Sequence, residues 1–292
     1  MYRESRRWRI GAHIILMFMT LLALLPFILL IIASFTDDQV AVINGYRYLP
    51  EKWSLSAYKY IANEAETIFR AYGITIFITI VGTAVNLFLT SLLAYMLAQD
   101  ELPGAKMFNF LVIFTMLFNG GLVPTYLIYA STFKIRDTIF ALIVPNLLMN
   151  AFNIILVKNY FRFSLPKELF ESSRLDGASE FQILKHIVLP LSKPIMATIG
   201  LMTSIAYWND WQNGLYYLND TKLYSVQNIL NAINTSVQFL ATNSVSGANI
   251  TDIPTTTVRM AIAVVGILPI IIAYPFFQQY FVKGITLGAV KG

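Results

Sequence analysis

The chain reads as an all-helical integral membrane bundle of six spans. Three observations predict it. The apolar share is 57% and the mean hydropathy +0.61. Charged residues make up 13%, where soluble domains carry about 25%. Six apolar stretches also approach the roughly 20 residues that a bilayer crossing needs. A single soluble core in 292 residues cannot hide so much apolar surface, whereas a bilayer solvates it. In hydrocarbon every backbone polar group needs an internal partner, so helices are expected. The alternation of a membrane barrel is missing. No cysteine is present, which excludes disulfides and thiolate metal sites. His13 and His186 lie far apart without ligand-like neighbours, so no metal centre is expected. The net charge of +5 is assigned to cytoplasmic loops rather than to nucleic acid, because no basic stripe interleaved with aromatics exists.

In chain order, residues 1–9 form a basic N-terminus with Arg3, Arg6, Arg7 and Arg9. The first span covers 10–36. It reads as a retained signal anchor, since the apolar run is too long for a secretory leader and no small-residue cleavage site follows Ser34-Phe35-Thr36. Residues 37–70 form an extracytoplasmic loop with a surface helix over 54–62. The second span, 71–98, and the third, 107–133, carry no charge. The fourth covers 138–157. The fifth, 194–218, holds one acid, Asp210, and the sixth covers 260–282 after an extracytoplasmic loop, 219–254. Six spans leave both termini on one face. Lysine and arginine divide thirteen to eight in favour of that face, so both termini are expected in the cytoplasm.

The longest cytoplasmic loop, 162–193, reads as two short helices with a break. Pro166 suits a first helical turn, and Gly177 suits a left-handed stop. Leu165, Leu169 and Leu175 give the first helix an apolar side; Phe181, Leu184 and Ile187 or Val188 do so for the second. Pro190 and Pro194 mark the passage into the fifth span. A rigid pair of this kind moves the spans when a partner grips it.

Glu171, then Asp176-Gly177-Ala178, then Ile187, Leu189 and Pro190, with nine residues between Gly177 and Ile187, resembles the EAA loop of ATP-binding-cassette importer permeases. Ser172 and Ser173 stand where that family usually has alanines. The resemblance extends over nearly the whole chain. The segments 118–126, 207–212 and 283–292 are similar to the carbohydrate branch, permeases for complex oligosaccharides and alginate fragments included. It implies a type I importer fold over 71–292 and a non-catalytic transport chain in the bacterial inner membrane. It also implies that Glu171, Arg174, Asp176, Gly177 and Ala178 couple to an ATPase. The implied partners are a second permease forming a heterodimer, two ATPase subunits and an extracytoplasmic solute-binding protein. No G-x-x-x-x-G-K-[ST] loop occurs, so no cofactor is expected in this chain, and ATP and magnesium belong to the partner ATPase.

Polar and aromatic side chains inside spans are costly unless they face protein or water. Tyr207, Trp208, Asn209, Asp210, Trp211, Gln212, Asn213 and Tyr216 cluster in the outer half of the fifth span. Asn119-Gly120-Gly121, with Pro124 beyond, marks irregular backbone in the third. Asn146, Asn150 and Asn153 follow an i, i+4, i+7 spacing on the fourth and would share a face. Amides pair with sugar hydroxyls, and flat rings lie against a sugar's apolar face. The fifth-span cluster, with Asn119, Asn150 and Asn153, is therefore the expected substrate pathway; the competing uses are helix packing and an interfacial aromatic belt. For an anionic solute, Lys134, Arg136 and Arg259 are expected along the outer path. An acid such as Asp210 also admits an ion-coupled secondary sugar carrier, but the repeats of such carriers are missing. An enzyme would need a catalytic constellation, and neither H-E-x-x-H nor a Ser-His-Asp set can be placed.

Overall fold

A computed structural model describes the backbone of residues 6–63, 65–99, 103–243 and 255–289, with the side chains of these apart from 6–9, 236–243, 255, 273, 274 and 276–289. Arg3, Lys291 and residues 244–254, used above for topology and the outer loop, lie outside the described residues. So does the end of the 283–292 segment. In chain order the helices begin with α1 (Arg6–Ser34), α2 (Asp38–Asn44), α3 (Ser56–Asn63), α4 (Ala65–Ala98) and α5 (Ala105–Leu117). Next come α6 (Leu122–Leu127), α7 (Phe140–Ile143), α8 (Ala151–Ser164), α9 (Lys167–Leu175) and α10 (Glu180–Ile183). The remainder are α11 (Leu189–Leu191), α12 (Lys193–Asn209), α13 (Gln212–Tyr217), α14 (Val226–Asn243) and α15 (Thr255–Ala289). The chain divides into two compact units, Met1–Ile68 with Leu230–Pro269, and Phe69–Ile229 with Ile270–Gly292.

In the first unit, α1 has 29 residues, about 44 Å of helix, which exceeds the ~30 Å hydrocarbon core. Its apolar side chains are exposed from Ile10 to Ile28, as a lipid-facing anchor requires. An antiparallel bridge between Thr36 and Trp53 and a Lys52–Asp37 ion pair of 2.8 Å close the loop that follows. Lys52 holds the Asp37 carboxyl below its ordinary value by hydrogen bonding to it. Ala57 of α3 packs with Val258, Ala261 and Ile262 of α15. The Asp38 carboxylate accepts from the Thr256 and Thr257 amides at 3.1 and 2.9 Å and from the Thr257 hydroxyl at 3.0 Å. A negative group there satisfies donors that a helix start leaves open.

The first, second and sixth expected spans follow the single helices α1, α4 and α15, the first ending at Ser34, two residues short of its expected end. The other three are broken, for local reasons. Residues 107–133 are not one rod: the axis turns by 115° between Ala105–Leu117 and Leu122–Thr132. Gly121 sits there at φ +91, which only glycine adopts without strain. The fourth segment stops after α7 at Pro145 and Asn146, the latter at φ +61, and restarts at α8. The fifth is interrupted at Asp210, whose backbone is extended between α12 and α13. A further bend of 83° separates Glu180–Leu191 from α12, between the two prolines expected to mark it.

Two buried clusters organise the second unit. One joins Ala94 and Tyr95 of α4, Val157 and Phe161 of α8, and Ile183, Leu184, Val188 and Ile199. The other joins Ile78 with Ala141, Leu142, Ile143, Tyr217 and Leu218. Tyr217 also stacks on Tyr126, with centroids 5.6 Å apart, and meets Tyr129 edge-on at 6.2 Å.

Candidate functional site

The bent segment around Gly177 is built by local rules. The acid of α9's first turn is Glu168 and the base of its last turn is Arg174, each matching the helix dipole. The helix ends in a Schellman motif: the Ala178 amide donates to the Ser173 carbonyl and the Gly177 amide to the Arg174 carbonyl, both at 3.0 Å. That closure requires the left-handed φ of +82 at Gly177. Ser179 then caps α10 in a capping box with Gln182. A wide π turn over Leu184–Val188 continues into α11.

Packing differs from the sequence expectation in its details. Leu165, Ile183, Leu184 and Val188 are buried, but Leu175 is 89% and Phe181 59% exposed. Phe170, not Leu169 or Leu175, is the α9 side chain that packs against the bundle. The turn thus presents apolar side chains outward on a scaffold held from behind by α4, α8 and α12.

Arg174 ties this scaffold together. Its Nε and Nη2 donate to the two oxygens of Glu180 at 2.7 and 3.2 Å, and Nη2 also donates to Gln99 Oε1 at 2.8 Å. The Tyr95 hydroxyl donates to Glu180 Oε2 at 2.5 Å. The guanidinium lowers the Glu180 pKa, and the carboxylate raises that of Arg174. A groove of about 540 Å³ runs beside α9, lined by Tyr95, Phe161, Phe170, Glu171, Arg174 and Glu180 among others. Of the expected coupling residues, Glu171, Arg174, Asp176 and Gly177 are exposed and Ala178 is half-buried.

The expected pathway residues fall into two groups. Tyr207 is fully buried and its hydroxyl donates to the Ile143 carbonyl at 2.8 Å. Its ring lies so close over Gly82 that a Cβ there would meet it. Asn213 is buried and donates to the Pro145 carbonyl at 3.0 Å. Asn153 is buried and reaches the Thr203 hydroxyl at 3.5 Å. Trp208 is buried as well, and Tyr216 packs at the edge of a core cluster. These side chains serve packing in this conformation. Asn209, Trp211, Gln212, Asn119 and Asn150 are exposed. Asn119 accepts from the Gly121 amide at 2.8 Å, and Asn150 caps α8 by accepting from the Asn153 amide at 3.2 Å. Asp210 is half-buried; Oδ1 accepts from the Asn213 amide at 3.4 Å, and Oδ2 has no hydrogen-bond partner among the described residues. Asn146, Asn150 and Asn153 do not share a helical face, because the first is a left-handed turn residue and the second an extended cap.

Sequence reasoning missed Asn86. It is completely buried in α4 and donates to the Leu147 and Leu148 carbonyls, both at 2.9 Å. Its Oδ1 accepts from Thr203 at 3.3 Å and Thr90 at 3.4 Å. With Tyr207 and Asn213, it satisfies four carbonyls, one at the end of α7 and three in the broken stretch that follows. Irregular backbone at membrane depth needs such partners. The signal was available: an amide within an otherwise apolar span. Tyr95, Gln99 and Glu180 were missed too, because their convergence depends on tertiary folding. At the loop joining α6 to α7, Asp137 accepts from the Asn219 and Asp220 amides, the latter at 3.0 Å, which lowers its pKa.

Comparison with known proteins places this architecture. Residues 91–287 match the family described as binding-protein-dependent transport system inner membrane component. Protein LplC of Bacillus subtilis is 40% identical over 93% of this chain and 90% of its own length. A polygalacturonan/rhamnogalacturonan transport system permease protein, YtcP, of the same organism is 40% identical over 95% and 96%. Among solved structures, a bacterial ABC transporter involved in the import of the acidic polysaccharide alginate superposes with a TM-score of 0.78 and 31% identity, covering 96% of this chain and 99% of that one. Built from apolar helices with the bent, outward-facing loop between α8 and α12, and alike to these proteins along nearly its full length, the chain belongs to the binding-protein-dependent inner-membrane permease family.

Proposed function

We propose that this permease subunit forms half of the pathway of an ATP-driven importer for sugar oligomers and is opened by a separate ATPase that grips the Gly177 turn. The observation that carries the reading is the exposure of Leu175 and Phe181 on either side of that turn, while Ile183, Leu184 and Val188 behind it are buried. An outward apolar knuckle on a rigid base suits capture by a protein cleft at a membrane surface, where single exposed anchors dominate binding. The remaining partners in this reading are a second permease, a second ATPase copy and an extracytoplasmic solute-binding protein. ATP and magnesium stay on the ATPase.

For the solute, the relatives named for polygalacturonan/rhamnogalacturonan and for alginate support uronate-containing oligomers. The exposed Lys134 and Arg136 beside α7 suit an anion on its way in. Of the pathway residues, the exposed Asn209, Trp211 and Gln212 are best placed to meet solute, with Asp210 beside them.

The test is uptake by the purified complex in vesicles, using labelled trigalacturonate and maltotriose as probes. Uptake driven by ATP, insensitive to a protonophore and lost when the ATPase is omitted is the expected result. Uptake by the permease chains alone, abolished by the protonophore, would establish an ion-coupled carrier instead. Replacing Gly177 with Trp should leave the chain inserted while ATPase co-purification is lost.

A further inference from the structure

We propose that Arg174, Glu180, Tyr95 and Gln99 form a latch that makes α9 and the Ala98 end of α4 move as one body; this rests on the reading of α9 as the gripped helix. Packing alone does not hold α9. None of its residues is buried, and Phe170 alone among its apolar side chains packs partly against the bundle. A helix so exposed would hinge at the extended residues Leu165 and Pro166 and at the Gly177 turn when pulled.

The latch sits at the end of α9 nearest that turn. Arg174 grips the Glu180 carboxylate with two hydrogen bonds and Gln99 with a third. On the far side the same carboxylate takes the hydroxyl of Tyr95, a residue only 7% exposed. An isolated exposed ion pair would add little. This one differs in three ways: the contact is bidentate, the carboxylate is shared with a buried ring, and the geometry is preset. The Schellman closure before Ala178 and the Ser179–Gln182 capping box hold Arg174 and Glu180 facing each other across the turn. The guanidinium therefore bridges the turn to α4 directly, through Gln99, and indirectly, through Glu180 and Tyr95. By the Gln99 contact, force applied to α9 reaches the end of the 34-residue α4 without passing through α10 to α12. All four are positioning residues, with no contact to solute required.

The absence of cysteine makes the test clean. Spin labels at Ile76→Cys on α4 and Glu168→Cys on α9 report their separation in the complex purified with its ATPase, before and after trapping with Mg-ATP and vanadate. The parent should keep one distance in both states. Arg174→Ala and Glu180→Ala should each add a displaced distance in the trapped state, raising the unlatched fraction about tenfold. Exchanging the charges, Arg174→Glu with Glu180→Arg, should restore the single distance, a rescue that a general folding defect would not show. A single undisturbed distance in both alanine variants, with the ATPase still bound, overturns the latch and leaves the coupling reading standing. Displacement without rescue by the exchanged pair also overturns it. A parent complex that fails to retain the ATPase overturns the coupling reading beneath it.

Discussion

Gly177 shows how much one residue decides. It stands at φ +82, and nothing lies within 4 Å of where a Cβ would be. Substitution therefore strains the backbone and clashes with nothing. For residues other than glycine the left-handed region costs about 1–2 kcal/mol, with asparagine the mildest and β-branched residues the worst. Asn, Ala and Val at this position should reduce ATPase capture in that order, as measured by co-purification, and a flat series would contradict the account. Leu175→Asp makes a different case. The side chain is 89% exposed, so stability should change by less than about 0.5 kcal/mol, while ATPase capture falls about tenfold if Leu175 is an anchor. Glu180 gives the latch a pH limit. Arg174 lowers its folded-state pKa below the ordinary 4.5, so its contribution is complete above 4.5 and is lost as pH falls through the lowered value. The spread of the distance between labels at 76 and 168 should widen only in acid, and Glu180→Gln should remove that dependence.

Among the elements, the broken stretch between α7 and α8 is the most demanding. It places carbonyls in a low-dielectric interior, and each unpaired group there costs about 1–3 kcal/mol. Asn86 serves two of them and Asn213 a third, while Tyr207 serves the last carbonyl of α7. Asn86→Leu should accordingly destabilise the detergent-solubilised protein by about 1–3 kcal/mol, more than Tyr207→Phe at about 1 kcal/mol. Both are readable from denaturant or SDS titrations. Gly82→Ala should force the Tyr207 ring aside and disturb the same hydrogen bond. Its effect and that of Tyr207→Phe should add to less than their sum, because both act on one contact. Full additivity would mean that the ring and the bond act independently.

For the whole molecule, the thirteen-to-eight division of lysine and arginine predicts that both termini and α9 face the cytoplasm, because basic loops resist translocation. A cysteine placed at Glu168 should be labelled by a membrane-impermeant maleimide only in inside-out vesicles, and one at Lys134 only in right-side-out cells. Reversed labelling would put α9 on the wrong face for an ATPase. The same apolar excess that predicts a membrane protein accounts for the exposed α1 and α5 surfaces, which need lipid or a partner chain to cover them.

Composition and hydropathy alone determined the class of this protein, since no soluble core accommodates its apolar share. The spacing from Glu171 through Gly177 to Pro190 was enough to locate the bent loop, because helix stops and caps obey local rules. The single helices at α1, α4 and α15 were equally legible as long, predominantly apolar runs. Only the tertiary structure decided the rest. Hydropathy cannot see that Asn146 turns left-handed or that Asp210 interrupts its segment, whereas the glycines at 120 and 121 already marked irregular backbone in the third. Residues as far apart in sequence as Tyr95 and Glu180, or Asn86 and Leu147, meet only when α4 packs against the later helices. The division of the fifth-span cluster into buried packing residues and exposed ones has the same origin. A polar side chain in a span must find a partner, and which partner it finds depends on what folds against it.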